Sequence, residues 1–132
     1  MAKLYPYLFC KDARAQADFY IKSLGGEIES VQTYDEMPDP DPALEGRVMH
    51  LVLQAGGIRI FMADAANQEI EPGTNIDLTL EFTSVEEAEK AFGGLSEGGD
   101  IFMPFEKMFW GDYFGRFQDR YGVRWQISVS EE

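Results

Sequence analysis

Gly25-Gly26-Glu27-Ile28 returns later in the chain as Gly98-Gly99-Asp100-Ile101. Each tetrapeptide follows an amphipathic stretch and precedes a strand-like one, so the two mark the same point in two copies of one unit. Working outward from the first copy, Asp12 stands where a helix would begin. Ala13, Ala17, Tyr20 and Leu24 then recur at helical spacing, and the glycine pair ends the run. Leu4 to Cys10 before it and Glu27 to Thr33 after it read as strands. Arg47 to Gln54 and Ile58 to Ala63 are two more, joined by a hairpin turn at Ala55-Gly56-Gly57.

The second copy keeps this order. Ile76 to Phe82 alternates as a strand, and Ser84 with Glu87 three residues later has the capping-box pattern of a helix that would run to about Leu95. Gly57-Ile58-Arg59-Ile60-Phe61 is matched by Gly122-Val123-Arg124-Trp125-Gln126. The copies are offset by 72 residues at the first strand (Leu8 and Leu80), by 73 at the glycine turn and by 65 at the last strand. The shortening reflects Met37-Pro38-Asp39-Pro40-Asp41-Pro42, which has no counterpart in the second copy; prolines at alternate positions exclude a regular ladder and mark a loop. The expected fold class is α+β: two βαβββ modules, about 1–70 and 71–132, in a single domain spanning 1–132.

At 132 residues with 45% hydrophobic content the chain suits one domain with a real core. A formal net charge of −13 makes nucleic acid and anionic membrane surfaces poor partners. Cys10 is the single cysteine, so an internal disulfide is excluded and a reducing compartment expected. Met1 to Pro6 has no apolar leader core, and no run approaches the roughly 18 apolar residues of a membrane span. These readings make the cytoplasm the expected location.

One helix to four strands leaves one sheet face of each module free to enclose a ligand. Alternation sorts the side chains between the two faces. Ile76, Leu78, Leu80 and Phe82 should lie under the helix, with Asp77, Thr79 and Glu81 opposite. Val123, Trp125, Ile127 and Val129 are expected inside, with Arg124, Gln126 and Ser128 on the open face. In the first copy Ile58, Ile60 and Met62, with Met49, Leu51 and Leu53, form the buried set. That leaves Arg59, Phe61 and Ala63, together with Val48, His50 and Val52, on the open side, where Tyr5, Tyr7 and Phe9 join them. Aromatic walls with a few ionisable groups are the usual make-up of a small-molecule site.

At this level the chain resembles the vicinal oxygen chelate superfamily, which includes glyoxalase I and the bleomycin- and fosfomycin-resistance proteins, and within it the PhnB-like branch. Asp12-Ala13 through Ala17-Asp18-Phe19-Tyr20 and Leu24-Gly25-Gly26-Glu27 looks like that superfamily's first helix and turn. Met103-Pro104, Phe109-Trp110-Gly111, Phe114-Gly115, Asp119-Arg120-Tyr121-Gly122 and Trp125 are the more specific match. The resemblance implies the glyoxalase/bleomycin-resistance-like fold and a homodimer. Metal-using members place ligands on the first and last strand of each module, and those positions fall here at Tyr5, Phe61, Asp77 and Gln126. Phe61 has no donor and tyrosine rarely ligates such metals, so Asp77 and Gln126 are the remaining candidates for a divalent metal, a weak set without histidine. The expected protein is therefore a small-molecule binder with no cofactor. The alternatives are a divalent-metal-dependent lyase, isomerase or transferase, and a non-catalytic interaction subunit.

The candidate ligand-binding residues are Tyr5, Tyr7, His50, Phe61, Asp77, Glu81, Trp110 and Gln126. His50, the only histidine, is the one candidate for catalysis because imidazole exchanges protons near neutrality; a wall or hydrogen-bonding role is the favoured reading. Asp77 and Glu81 share a strand face at roughly 13 Å, too far for a carboxylate dyad. Trp110 belongs either to a cap over the pocket or to a dimer interface. Arg59 and Arg124 read as structural salt bridges before ligand anchors. No motif for a methyl donor, phosphate loop or Ser/His/Asp triad is present.

Overall fold

A computed structural model describes residues 1–66 and 68–130. The chain divides into two compact units, Met1–Glu71 and Pro72–Glu132. Unit 1 runs β1 (Tyr7–Cys10), α1 (Ala13–Leu24), β2 (Gly26–Thr33), β3 (Val48–Ala55) and β4 (Ile58–Asp64). Unit 2 runs β5 (Leu78–Phe82), α2 (Val85–Ser96), β6 (Asp100–Lys107), β7 (Tyr113–Gln118) and β8 (Arg124–Val129). The sheets have equivalent orders, β1-β4-β3-β2 and β5-β8-β7-β6, with the first strand parallel to the last and the other pairs antiparallel. These are the two βαβββ modules of an α+β fold.

The helices begin where their polar residues can cap them. Asp12 Oδ1 accepts from the Ala15 amide at 3.1 Å, and Ser84 Oγ accepts from the Glu87 amide at 3.2 Å. Gly25, at φ +76°, stops α1 and donates its amide to the Ile21 carbonyl at 2.7 Å. The buried face of α1 carries Ala13, Ala17 and Tyr20 over Leu51, Leu53, Ile60 and Met62. Gln16 is buried with them, donating to the Tyr20 hydroxyl at 2.9 Å. In unit 2, Ala88, Ala91, Phe92 and Leu95 cover Leu80, Phe117, Trp125, Ile127 and Val129. Two sets of mostly apolar side chains are thus removed from water, each on the helix side of its own sheet.

The repeated glycine pair has a steric cause. A Cβ on Gly26 would stand 1.9 Å from the Gln54 carbonyl oxygen, and one on Gly99 would stand 2.0 Å from that of Gln118. In both units the connection out of the helix passes against the backbone of the neighbouring strand, and only glycine fits there.

Three expectations about the strands need correction. β1 starts at Tyr7 and β5 at Leu78, two to three residues later than alternation predicts, because the preceding residues lack ladder partners. Ile76 therefore lies outside the core, with 71% of its surface exposed. At the start of β3 it is Val48, not Met49, that is buried: the β2–β3 register shifts between Gln32 and Thr33, and the Val48 amide is tied to Asp64 Oδ2 at 2.7 Å. Ala63, placed on the open side by alternation, is also buried.

Candidate functional site

On the unit 1 sheet face that α1 leaves uncovered, the register sets Tyr7 beside Phe61 and Val52 on the other side of Phe61. Tyr5 stacks on Phe61 with centroids 4.6 Å apart and planes 23° from parallel. Tyr7 meets Phe61 edge-on at 6.2 Å and lies 5.1 Å from Phe9. His50 is 5.3 Å from Phe61, ring to ring. Four sequence-derived candidates, Tyr5, Tyr7, His50 and Phe61, thus form one cluster with Phe9.

The Tyr7 hydroxyl lies 3.2 Å from His50 Nδ1. Partial burial, followed by the neighbouring Tyr34 and Cys10, pushes the Tyr7 phenol above its ordinary pKa, so it stays protonated. The phenol O–H donates to Nδ1 in the tautomer that carries its hydrogen on Nε2, and the phenol oxygen accepts from Nδ1 in the other. In both, the contact fixes the orientation of the His50 ring.

Beside this cluster is an open cavity of about 550 Å³ lined by Tyr5, Glu27, Glu29, Gln54, Gly57 and Arg59. Arg59 spans Glu29, donating from Nε to Oε1 at 2.9 Å and from Nη2 to Oε2 at 3.3 Å. The salt bridge expected of Arg59 is present, and its partner is a residue the sequence did not single out. Unit 1 therefore joins an aromatic wall to a polar rim.

The open face of unit 2 has different chemistry. Arg116 grips Asp77, with Nε donating to Oδ2 and Nη2 to Oδ1 at 3.4 Å. Gln126 Nε2 donates to Asp77 Oδ2 at 3.0 Å, while Gln126 Oε1 accepts from the Thr79 hydroxyl at 3.3 Å. The hydrogen bond from Arg116 leads, against some opposition from burial, in holding the Asp77 carboxyl below its ordinary pKa; Gln126 adds to it. Glu81 stands apart from this network and accepts from Ser130 Oγ at 3.5 Å. Trp110 is in the β6–β7 turn, where Gly111 adopts φ +104°; its ring packs edge-on against Phe109 at 4.9 Å and lies 6.3 Å from Phe114. Phe109 is fully exposed and Trp110 half exposed.

Of the four positions implied as metal sites, Tyr5 and Phe61 meet within unit 1 and Asp77 and Gln126 within unit 2, and neither pair by itself offers a free donor set for a divalent ion. Tyr5 and Phe61 are stacked rings. Asp77 already has a guanidinium on both oxygens, and that charge would repel an incoming dication. Among the described residues no group of three or more His, Cys, Asp or Glu side chains is placed to hold a metal. The residue deciding this, Arg116, was not anticipated. Its only sequence signal is alternation with the buried Phe117 and Gly115 of β7.

The sequence profile of the family described as 3-demethylubiquinone-9 3-methyltransferase matches residues 2–128. The chain belongs to that family. It is also 30% identical to protein YjdN of Escherichia coli (strain K12), over 98% of this chain and 96% of that one. The solved structure of protein PA1353 from Pseudomonas aeruginosa is 30% identical, with a TM-score of 0.84 and full coverage of both chains. A putative 3-demethylubiquinone-9 3-methyltransferase, PhnB protein, from Bacillus cereus is 26% identical over 98% of this chain and all of its own, with a TM-score of 0.78. At the level of fold, the structure matches a glyoxalase/bleomycin resistance protein/dioxygenase family enzyme from Burkholderia phytofirmans at TM-score 0.64, with 16% identity over 95% of each chain. Family and fold together place the chain in the PhnB-like branch of the vicinal oxygen chelate superfamily. No helix among the described residues is long and apolar enough to cross a membrane.

Proposed function

We propose that this protein binds a small, flat organic molecule against the aromatic face of unit 1, without a divalent metal in the site. The observation that carries the reading is the row of rings formed by Tyr5, Tyr7, Phe9, His50 and Phe61. Tyr5, Tyr7 and Phe9 keep 36%, 41% and 55% of their surface exposed on the face their helix does not cover. Exposed aromatic clusters of this kind mark binding surfaces, and a flat ligand recovers stacking contacts that water does not supply. His50 Nε2 and the rim of Gln54, Glu27 and Arg59 would orient polar substituents.

The pairing of Asp77 with Arg116 favours this reading over a metal-dependent lyase, isomerase or transferase. The name of the family and that of the Bacillus cereus protein both include 3-demethylubiquinone, whose ring is flat and falls within the proposed ligand class. Methyl transfer is not part of the proposal, because a methyl donor needs a binding motif of its own. We infer that the protein acts as a homodimer, an assembly for which the exposed Phe109 and Trp110 are suited.

Calorimetric titration with a panel of neutral quinones and cationic aromatic dyes, in buffer containing EDTA, tests the proposal. At least one class should bind, and Tyr7→Ala and Phe61→Ala should each weaken it about tenfold, about 1.4 kcal/mol. A panel without a binder, or binding indifferent to both substitutions, would contradict it.

A further inference from the structure

The internal repeat supplies a control for Arg124 within the same chain. Arg59 sits opposite Gln54, and Arg124 sits opposite Gln118 at the corresponding place in unit 2. In unit 1 the register of β2 against β3 shifts between Ile28 and Ser30, and the residue at the shift, Glu29, turns its carboxylate onto Arg59. In unit 2 the register of β6 against β7 shifts between Ile101 and Met103. The residue there is Phe102, so a ring stands where unit 1 has a counter-ion.

The consequence for Arg124 is specific. Its Cζ lies 4.7 Å from the centre of the Phe102 ring, and its Nη1 donates to the neutral carbonyl of Thr74 at 2.8 Å. Nε is buried and has no acceptor. A buried charged donor without an acceptor is costly and calls for an explanation. Arg116 lies on the same ring, 5.1 Å from its centre, with Nε and Nη2 committed to Asp77. Asp77 is engaged by Arg116 and Gln126, and Glu81 by Ser130. Two guanidiniums thus flank one ring, and the carboxylate beside them, Asp77, is hydrogen-bonded to Arg116 and acts on Arg124 through charge alone.

We propose that Arg124, with Phe102 and Arg116, forms an anion site on the open face of unit 2 that takes the carboxylate or phosphate group of a small ligand. The incoming oxyanion supplies to Arg124 what Glu29 supplies to Arg59. A guanidinium edge matches the paired oxygens of either group, and the Phe102 ring keeps the guanidinium plane in place to receive them. Access of the ligand to the buried Nε requires the Phe102 ring, 39% exposed, to turn aside, and that movement is part of the proposal. The residues that carry this assignment all belong to unit 2.

The test is calorimetric titration with inorganic phosphate and with acetate, in low-chloride buffer, on wild type, Phe102→Glu, Arg124→Gln and Lys90→Gln, the last an exposed cation on α2. Wild type should bind at least one anion; phosphate alone assigns the site to phosphate-bearing ligands, and acetate alone to carboxylates. Phe102→Glu rebuilds the internal partner seen in unit 1, so it should weaken anion binding at least tenfold without lowering the melting temperature. Arg124→Gln should weaken binding equally, and it carries the test if Phe102→Glu fails to fold. Lys90→Gln should bind as wild type does. No binding by the wild type, unchanged affinity in Arg124→Gln, or an equal loss in Lys90→Gln overturns the assignment.

Discussion

Replacing Asp119 by alanine should lower the melting temperature by about 10 °C, equivalent to roughly 3 kcal/mol in a chain of this size. Asp119 is 2% exposed, and its carboxylate accepts from three donors. Oδ1 accepts from the amides of Tyr121 and Val123 at 2.8 and 3.1 Å, and Oδ2 accepts from Trp125 Nε1 at 2.9 Å. Trp125 is the largest fully buried side chain, so water cannot replace the carboxylate at its indole N–H. The other two amides belong to the tight turn into β8, where Gly122 has φ +92°. Alanine therefore takes the acceptor from buried donors and loosens the turn together. Asp119→Asn, which keeps one acceptor oxygen, should recover part of the loss. Thermal denaturation followed by circular dichroism reads all three proteins, and a melting temperature within about 2 °C of wild type for Asp119→Ala would contradict this account.

Gly99→Ala is expected to cost about 3 kcal/mol or more, and Gly26→Ala a similar amount. The atoms in the way are backbone: for Gly99 the Gln118 carbonyl oxygen at 2.0 Å and the Asp119 carbonyl carbon at 2.9 Å. A flexible side chain could swing aside, whereas a strand carbonyl in a ladder cannot without breaking its own pairing. Gly26 adds a positive φ of 137°. Gly93, inside α2 with nothing within 4 Å of its added Cβ, is the contrast: Gly93→Ala should raise stability by about 0.5–1 kcal/mol. Chemical denaturation of the three variants gives the comparison, and equal effects at Gly93 and Gly99 would mean that steric approach is not what the glycine pair preserves.

These two sites show why the fold was readable. Gly26 and Gly99 recur because one steric demand recurs, and the alternation that buries Leu51, Ile60, Trp125 and Ile127 follows from each sheet having one helix-covered face. The cluster of Tyr5, Tyr7, His50 and Phe61 followed from the same alternation, since residues on one face of adjacent strands must meet. Partner choice was less accessible. That Asp77 belongs to Arg116, or that Phe102 stands where Glu29 does, depends on register and on shifts in β2 and β6 that no local pattern announces. Arg59 and Arg124, paired positions of a repeat rich in acidic residues, both read as salt bridges before ligand anchors; Arg59 has its carboxylate in Glu29, whereas Arg124 donates to the Thr74 carbonyl. Ile76 was misplaced for a simpler reason: alternation continues past the last residue that has a ladder partner.

We propose that the open faces bind ligand through stacked rings and paired charges in place of a metal. Elemental analysis of the purified protein, after growth and dialysis with Mn, Fe, Ni and Zn, tests this most directly. The expected content is below about 0.1 metal ion per chain, the same in wild type and in Asp77→Ala. One bound ion per chain in wild type, lost in Asp77→Ala, would contradict the claim.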